Sequence, residues 1–154
     1  MRVYRLERTI ELPITIEQAW SFFSNPANLE KITPPGLKFR VTSTLPDVMY
    51  PGMIITYRLN VLPFTTSEWV TEITHVDPPH RFVDEQRLGP YRLWHHQHFF
   101  HETANGVEIR DLVHYCLPLG MLGRLVNQVL VERRLRAIFD YRAQALLGMF
   151  GGTA

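Results

Sequence analysis

The chain has 154 residues, a length that suits a single domain with one sizeable core. Hydrophobic residues make up 45% and charged residues 20%, which is an ordinary globular composition. The formal net charge of +1 argues against a nucleic-acid binder that relies on a broad basic surface. We therefore assign residues 1–150 to one domain and residues 151–154 to a frayed tail.

Cysteine usage and the lack of long apolar runs exclude further classes. Cys116 is the only cysteine, so neither an intramolecular disulfide nor a cysteine-rich zinc site can form. Charges interrupt the apolar residues at the N-terminus, unlike in a secretory signal peptide. No apolar run approaches the roughly 18 residues of a membrane span. We expect a cytoplasmic protein with no nucleic-acid partner and no stable membrane insertion.

The N-terminal part predicts one strand followed by two short helices. Arg2–Leu12 is rich in β-branched and aromatic residues and alternates partially, as strands do. Thr15 and Gln18 have the T-x-x-Q spacing of a capping box, which predicts the start of a short amphipathic helix. Asn25 is a cap for a second helix over Pro26–Ile32, which the following Thr-Pro-Pro-Gly ends.

Six extended runs follow, and each break between them carries turn-forming residues. The connections are mostly short, so successive strands are predicted to pair as antiparallel hairpins. The runs are Lys38–Leu45, Met53–Leu62, Thr65–Val76, Arg81–Leu88, Arg92–Glu102 and Val107–Leu117.

The last part of the chain changes to helical periodicity. Leu119–Met149 predicts a helix of about 45 Å. Its apolar stripe shifts partway, which predicts a kink or a new packing partner near residues 129–131. The first stripe is Leu122, Leu125, Val126 and Val129, and the second is Val131, Leu135, Ile138, Phe139 and Leu146.

This element order predicts an α+β domain. A curved seven-stranded antiparallel sheet has one face to bury, and the long C-terminal helix offers an apolar side to cover it. The two short helices after the first strand cap the remaining gap. Such a gap is where a small molecule would bind.

Four segments carry a resemblance to a known superfamily. They read ITPP at 32–35, EITHVDPPHRFVDEQ at 72–86, GPYRLWHHQHFF at 89–100 and DLVHYCLPLG at 111–120. Together with the element order, they resemble the START-like, or helix-grip, superfamily, in particular the polyketide cyclase/dehydrase-like SRPBCC proteins. The resemblance covers nearly the whole chain. It implies a deep cavity for an apolar or amphipathic ligand, but not a particular reaction.

Strand alternation sorts the candidate cavity residues. If Gly89-Pro90-Tyr91 is a three-residue loop, Asp84 lies opposite His96, with Phe82 opposite His98 and Gln86 opposite Trp94. A two- or four-residue turn would reverse the faces. The same sorting places four further residues inward on neighbouring strands, namely Tyr57, Trp69, Asp111 and Tyr115.

Arg142 lies on the apolar stripe of the last helix. A guanidinium there needs a partner, because an unpaired buried charge is costly, and either Asp84 or Asp111 could supply a carboxylate.

The pair of Asp84 and His96 suggests two interpretations. A carboxylate beside an imidazole raises the histidine pKa and sets its tautomer, which suits a general acid or base. The alternative is a buried pair that is structural or positions a ligand. The candidate catalytic residues are His96, His98 and Asp84, and the candidate ligand-binding residues are Gln86, Trp94, Trp69, Tyr57, Asp111, Tyr115 and Arg142.

A metal site at His96, His98 and Glu102 is a further hypothesis. The spacing H-x-H-x-x-x-E is similar to part of the cupin metal motif, and these ligand types suit zinc, iron or manganese. No later histidine completes that motif, and the element order is not that of a cupin. We therefore expect no metal and no cofactor.

Two functions remain open from the sequence. The first is binding of an apolar or amphipathic small molecule, lipid-like or polyketide/aromatic, between the sheet and the last helix. The alternative is a cyclase/dehydrase- or isomerase-type enzyme that uses a histidine general acid or base. A homodimer is compatible with either.

Overall fold

A seven-stranded antiparallel sheet forms the framework of the protein. The computed structural model describes residues 2–62, 65–118 and 130–152. The strands lie in the order β1-β7-β6-β5-β4-β3-β2, so neighbours in sequence from β2 to β7 are neighbours in the sheet, and β1 closes the far edge against β7. They are β1 (Tyr4–Leu12), β2 (Arg40–Val41), β3 (Met53–Leu62), β4 (Thr65–Asp77), β5 (Arg81–Leu88), β6 (Leu93–Thr103) and β7 (Gly106–Cys116).

Two short helical segments follow β1, as predicted. Helix α1 covers Ile16–Phe23 and begins with the capping box, in which Gln18 N donates to Thr15 Oγ1 at 3.2 Å and Thr15 N donates to Gln18 Oε1 at 2.9 Å. The second segment has the predicted bounds, Pro26–Ile32, but it is a 3-10 helix rather than an α-helix. A further 3-10 turn covers Pro35–Leu37.

The described part of the C-terminal helix is α2 (Glu132–Phe150). Its buried residues Leu135, Phe139 and Leu146 belong to the predicted second stripe. Leu130 and Val131, where the predicted kink would lie, form a π-helical turn. The first stripe falls in residues 119–129, outside the described residues. No helix in the described ranges combines the length and apolar character needed to cross a membrane.

The strand predicted over Lys38–Leu45 is much shorter than expected, because only Arg40 and Val41 pair with β3. Lys38 has a left-handed backbone (φ 46°), which ends the preceding 3-10 turn rather than starting a strand. Beyond Thr42, the N–H of Thr56 donates to the Ser43 side chain at 3.2 Å. A side chain therefore takes the place of the backbone acceptor that would have continued the ladder.

Alternation along the strands separates a buried inner face from an outer face. In β6 the inner positions are Trp94, His96, His98 and Phe100, and all four are buried. The larger apolar cluster lies beneath α1 and the first 3-10 helix. A smaller cluster around Trp94 packs against Leu135 of α2. The inner face of the sheet is thus mostly apolar, and the buried polar residues Thr71, His96, His98 and Asp111 interrupt it.

Candidate functional site

A cavity of about 160 Å³ lies between the inner face of β3–β6, the early helical segments and α2. Most of its wall is apolar. The apolar wall residues include Phe23, Leu29, Ile32, Leu37, Phe39, Met49, Ile55, Leu59, Ile73, Phe82, Leu135, Ile138 and Phe139. Among the residues named from the sequence, those that line it are Tyr57, Trp69, Asp84, Trp94, His96, His98 and Arg142.

The register between β5 and β6 is the predicted one. Phe82 pairs with His98 and Asp84 pairs with His96, so the hairpin connection preserves the expected parity. The hydrogen bond of Asp84, however, does not go to its directly opposite neighbour. The nearest imidazole nitrogen is Nε2 of His98, which lies 2.8 Å from Asp84 Oδ2, whereas Nδ1 of His96 is 3.4 Å away. The carboxylate thus bonds diagonally across the strand pair.

Asp111 is the second carboxylate of this group and lies behind the histidines, outside the cavity wall. It sits on β7 directly opposite His98 and is 7% exposed. Its Oδ1 lies 3.0 Å from His96 Nε2 in a hydrogen bond. The same oxygen lies 2.9 Å from His98 Nδ1, but without the angle of a hydrogen bond, so that nitrogen is buried without one. Asp111 therefore holds the far side of both rings.

The pKa values of the two imidazoles are shifted in opposite directions, because neighbouring groups outweigh burial only for His98. Burial and the charge of His98 lower the pKa of His96. Burial also opposes the charged form of His98, but the close contacts and charges of Asp111 and Asp84 outweigh it and raise the pKa of His98. His96 is therefore harder to protonate than an ordinary histidine, and His98 is easier to protonate.

The two carboxylates stay ionised although they are buried. Burial alone would raise the pKa of Asp84, but the charges and hydrogen bonds of His96 and His98 outweigh it and lower that pKa. For Asp111 the same balance holds its pKa well below the ordinary value. Because Asp111 is ionised, His96 donates through Nε2, which leaves the Nδ1 lone pair on the side of Asp84.

Arg142 does not form the predicted ion pair with Asp84 or Asp111. Its guanidinium lies over the ring of Phe139, with Cζ 4.9 Å from the centroid, and Nε is buried with no hydrogen-bond partner among the described residues. Its charge still contributes to lowering the pKa of Asp84. A stacked position on the helix thus replaces the direct contact, and one donor remains unused beside the cavity.

Tyr57, Trp69 and Thr71 form a further polar edge of the wall. Trp69 Nε1 donates to Thr71 Oγ1 at 3.1 Å, which satisfies the indole in its apolar surroundings. Burial, together with the charge of Asp84, raises the pKa of Tyr57 well above its ordinary range. Tyr57 therefore presents a neutral phenol.

Gln86 and Tyr115 were expected on the cavity wall but lie outside the described cavities. The amide of Gln86 holds the hairpin loop, because Nε2 donates to Tyr91 O at 2.6 Å and Oε1 accepts from Tyr91 N at 3.2 Å. Tyr115 has the right parity but packs in the smaller core cluster, with its ring 5.4 Å from that of Tyr4. Parity assigned the face correctly, but it does not say which inner positions reach the cavity.

Glu102 does not join the histidines as the cupin-like spacing suggested. It is exposed near the end of β6 and pairs with Val107. Glu102 is four positions beyond His98, and four steps along a strand span about 13 Å. Among the described residues, the group with metal-ligand proximity is Asp84, His96 and His98, whose ligand atoms lie within 4.8 Å of one another.

Sequence reasoning missed two kinds of wall residue. Met49 lies in a connection without periodicity, so no local signal pointed to it. Thr33 and Leu37 belong to the Pro-rich segment, where proline and glycine predict the end of a helix but not the direction of the side chains. Only the general expectation that the early helices cap the gap included them.

Comparison with known proteins supports the fold and goes no further. No protein-family model matches the chain, and no curated protein is a significant match. Protein CV1439 from Chromobacterium violaceum is a structural neighbour with a TM-score of 0.71, 12% identity, and coverage of 97% of this chain and 96% of that one. Protein Ms6760 from Mycobacterium smegmatis has a TM-score of 0.66 at 19% identity, covering 97% and 98%.

A third neighbour has a named activity. It is a Thalictrum norcoclaurine synthase point mutant in complex with a transition-state analogue, with a TM-score of 0.65, 15% identity and 96% coverage of both chains. At these identities the likeness concerns the backbone alone. The chain shares the backbone architecture of these neighbours, which is the helix-grip fold that the sequence resemblance implied.

Proposed function

We propose that the protein binds an apolar or amphipathic small molecule in the cavity between the sheet and α2. The observation that carries this proposal is a largely apolar wall interrupted by a charged group, which consists of Asp84, His96, His98 and Arg142. Ligand sites in proteins have this composition, because apolar area supplies affinity and a few polar groups set orientation. The helix-grip fold, which typically binds hydrophobic ligands, supports the same conclusion.

The cavity volume sets the scale of the ligand. A cavity of about 150 Å³ in another protein holds one benzene molecule, so about 160 Å³ admits a single ring or a short acyl chain. A second cavity of about 80 Å³ shares wall residues with the first, among them Trp69, Trp94 and Ile138. A larger ligand that displaced either indole would reach both spaces.

The polar groups of the wall determine which hydrogen-bonding groups a ligand needs. The unused Nε–H of Arg142 is a donor and would meet a carbonyl, phenolate or carboxylate oxygen. The lone pairs of Asp84 Oδ2 and His96 Nδ1 would accept a hydrogen bond from a hydroxyl or amine. A molecule with an apolar body and a hydroxy-carbonyl end satisfies both requirements.

Filling the cavity tests this proposal. Ile138 borders both cavities, whereas its neighbour Ala137 is exposed on the same helix. We expect the wild-type protein to bind an anilinonaphthalene sulfonate probe through its single phenyl ring, and a short-chain fatty acid or a small aryl ketone to displace it. Ile138→Trp should weaken probe binding at least tenfold, and Ala137→Trp should leave it unchanged. Folded wild-type protein that binds none of these compounds, or equal binding by Ile138→Trp, would refute the proposal.

A second candidate function is acid–base catalysis of the cyclase/dehydrase or isomerase type. The specific observation in its favour is that two adjacent imidazoles have pKa values displaced in opposite directions. Neutral His96 would take a proton from an enolisable carbon through Nδ1, and His98 would return one to the developing enolate oxygen. Asp111 holds the tautomer of His96, and Arg142 offers a charge to the enolate. The synthase named among the neighbours has the same fold.

Deuterium exchange tests the acid–base function without knowledge of the natural substrate. In D₂O, the wild-type protein should accelerate deuterium incorporation at the acidic carbon of an aryl 1,3-diketone, followed by NMR. His96→Gln should remove the acceleration. His95→Gln, on the outer face of the same strand, should retain it. Exchange at the buffer rate with wild-type protein, or unchanged exchange with His96→Gln, rules this function out.

A further inference from the structure

Three ligand atoms converge beside the cavity. They are Asp84 Oδ2, His96 Nδ1 and His98 Nε2, and all belong to residues of the cavity wall. The oxygen lies 3.4 Å from the first nitrogen and 2.8 Å from the second. Two of the residues, at i and i+2 on β6, share one face of the strand, and the third comes from the paired strand β5. The sheet register thus brings together two imidazoles and one carboxylate.

A second carboxylate holds these imidazoles from behind. Asp111 Oδ1 lies 3.0 Å from Nε2 of His96 and 2.9 Å from Nδ1 of His98, the two nitrogens that point away from Asp84. Histidines that bind metals almost always have their other nitrogen held by a carboxylate, a carbonyl or water, which orients the ring and raises its basicity. Asp111 performs this role for His96 through a hydrogen bond, and it lies in close contact with Nδ1 of His98.

We propose that Asp84, His96 and His98 bind a divalent transition-metal ion at the polar side of the cavity, with Asp111 as the orienting carboxylate. Two imidazoles and one carboxylate on one face suit Zn²⁺ or Fe²⁺ and leave coordination positions open. In a tetrahedral site the ligand atoms lie about 3.3 Å apart. The contact between Asp84 and His96 already has this spacing, and the contact between Asp84 and His98 needs to open by about half an ångström.

Charge and burial support a cation at this position. Asp84 and Asp111 bring two carboxylates into a group where His96 and His98 are each 4% exposed. Arg142 makes no direct ion pair with either carboxylate. Buried carboxylates are retained where they meet a cation or coordinate a metal, and a bound metal ion would replace the proton on His98 Nε2, which binding releases to solvent. This proposal departs from our expectation of no metal, which rested on Glu102 as the third ligand, and Asp84 takes that place.

The open positions would face the cavity. An oxygen of a bound small molecule would then complete the coordination, with Arg142 beside it. This contact with a small molecule rests on the proposed ligand-binding function, whereas the metal site itself does not. A metal ion and the acid–base chemistry would occupy the same two nitrogens, His96 Nδ1 and His98 Nε2. The two functions are therefore alternatives. Ligand binding is compatible with either.

Cobalt titration tests the metal site. Co²⁺ is a visible reporter for a zinc-type site, so chelator-treated full-length protein should bind one equivalent and develop d–d absorption in the visible range. Asp84→Asn, His96→Gln and His98→Gln should each weaken Co²⁺ binding at least 100-fold. Asp111→Asn should weaken it about 10- to 100-fold. Circular dichroism establishes that each variant is folded.

A matched control comes from the opposite face. His95 Nδ1 lies 3.1 Å from Glu85 Oε1 on the outer face of the same strand pair. His95→Gln and Glu85→Gln should leave Co²⁺ binding unchanged. Folded wild-type protein with no saturable Co²⁺ or Zn²⁺ binding below millimolar concentration would overturn the proposal. So would full binding by the double variant His96→Gln/His98→Gln.

The outcome is separable from that of the ligand-binding proposal. If the metal site is absent but the cavity binds ligands, the naphthalene sulfonate probe binds while Co²⁺ does not. If the metal site is present and the ligand proposal is wrong, the absorption bands form and the probe does not bind. Elemental analysis of protein purified without chelators then identifies the resident ion.

Discussion

The two faces of β6 carry the same chemistry in two different environments. On the outer face, His95 meets Glu85 at 3.1 Å, and the two side chains are 31% and 28% exposed. On the inner face, His96 and His98 meet Asp84 and Asp111, and each imidazole is 5% exposed. One step along the strand therefore separates a solvated pair from a buried group of four.

The difference shows what burial adds to a histidine–carboxylate contact. Water and counter-ions satisfy the outer pair, so such a contact contributes about 0–1 kcal/mol to stability. The inner group is almost wholly removed from bulk solvent, so a buried nitrogen or oxygen without a partner costs free energy. That requirement gathers four titratable groups beside one cavity, where a ligand, a proton or a metal ion can compete for their lone pairs.

The largest expected contrast between the faces is in apolar packing. Phe100 is fully buried and contacts the rings of Trp20, Phe23 and Phe82, whereas Phe99 faces outward beneath Arg110. Phe100→Ala should lower the free energy of unfolding by about 4 kcal/mol, because it leaves a cavity in the core. Phe99→Ala should cost less than about 1 kcal/mol. Urea unfolding followed by tryptophan fluorescence measures both, and equal losses would contradict the assignment of faces.

The next contrast concerns the carboxylates. Asp111→Ala removes the partner of both inner imidazoles and should cost about 3 kcal/mol, because it breaks a buried charge network. Glu85→Ala on the outer face should cost less than about 1 kcal/mol. The same urea titration applies, and Asp111→Asn, which keeps the shape, should fall between them. A loss for Asp111→Ala no greater than that for Glu85→Ala would show that the inner group contributes no more than a surface pair.

Much of this comparison could be predicted from the sequence. Alternation assigned His96 and His98 to one face and His95 to the other. The register expected for a three-residue Gly89-Pro90-Tyr91 loop brings Asp84 opposite His96, as observed, although residues 89–92 separate the two strands. These predictions are confirmed. Only one face of the sheet is buried, so only one of the two possible alternations along the strand places the apolar residues in the core.

The partner choices could not be predicted in the same way. Asp84 bonds diagonally to His98, and Arg142 stacks on Phe139 instead of meeting a carboxylate, because side-chain rotamers and sheet twist decide contacts among several allowed neighbours. Gln86 has the parity of Asp84, but it lies beyond the last β5–β6 pair, and its side chain bonds to Tyr91 of the loop instead of reaching the cavity. The eight-residue strand expected from Lys38 failed for a local reason, the left-handed backbone at that residue.

The pH dependence of stability sharpens the comparison further. The lowered pKa values of Asp84 and Asp111 contribute stability above the ordinary carboxyl pKa near 4, and this is lost as pH falls through their folded values. Each carboxylate adds a slope of up to about 1.4 kcal/mol per pH unit in that window. Chelator-treated protein should therefore lose stability steeply below about pH 4.

The two imidazoles affect the stability of the protein on opposite sides of the ordinary histidine pKa of 6.5. The stability due to the raised pKa of His98 is present below the ordinary pKa and is lost as pH rises through the folded value. The lowered pKa of His96 contributes stability above the ordinary pKa, which is lost as pH falls. Stability should therefore pass through a maximum near pH 6.5, the ordinary histidine pKa, and urea midpoints measured across pH test this. Asp111→Asn should flatten the acid limb, and an unchanged limb would contradict this account.

The smallest effect concerns Gln86, which shares the parity of Asp84 but ties the loop to the strand. Gln86→Ala removes two hydrogen bonds to the backbone of Tyr91 and should cost about 1 kcal/mol, because water can replace part of what is lost at this half-buried position. The consequence should be local, with faster amide exchange at Tyr91 by NMR and no change in naphthalene sulfonate or Co²⁺ binding. Gln97→Ala, on the outer face of β6, is the matched control and should leave exchange at Tyr91 unaltered. Weakened ligand or metal binding by Gln86→Ala would instead return Gln86 to the cavity wall, where parity alone had placed it.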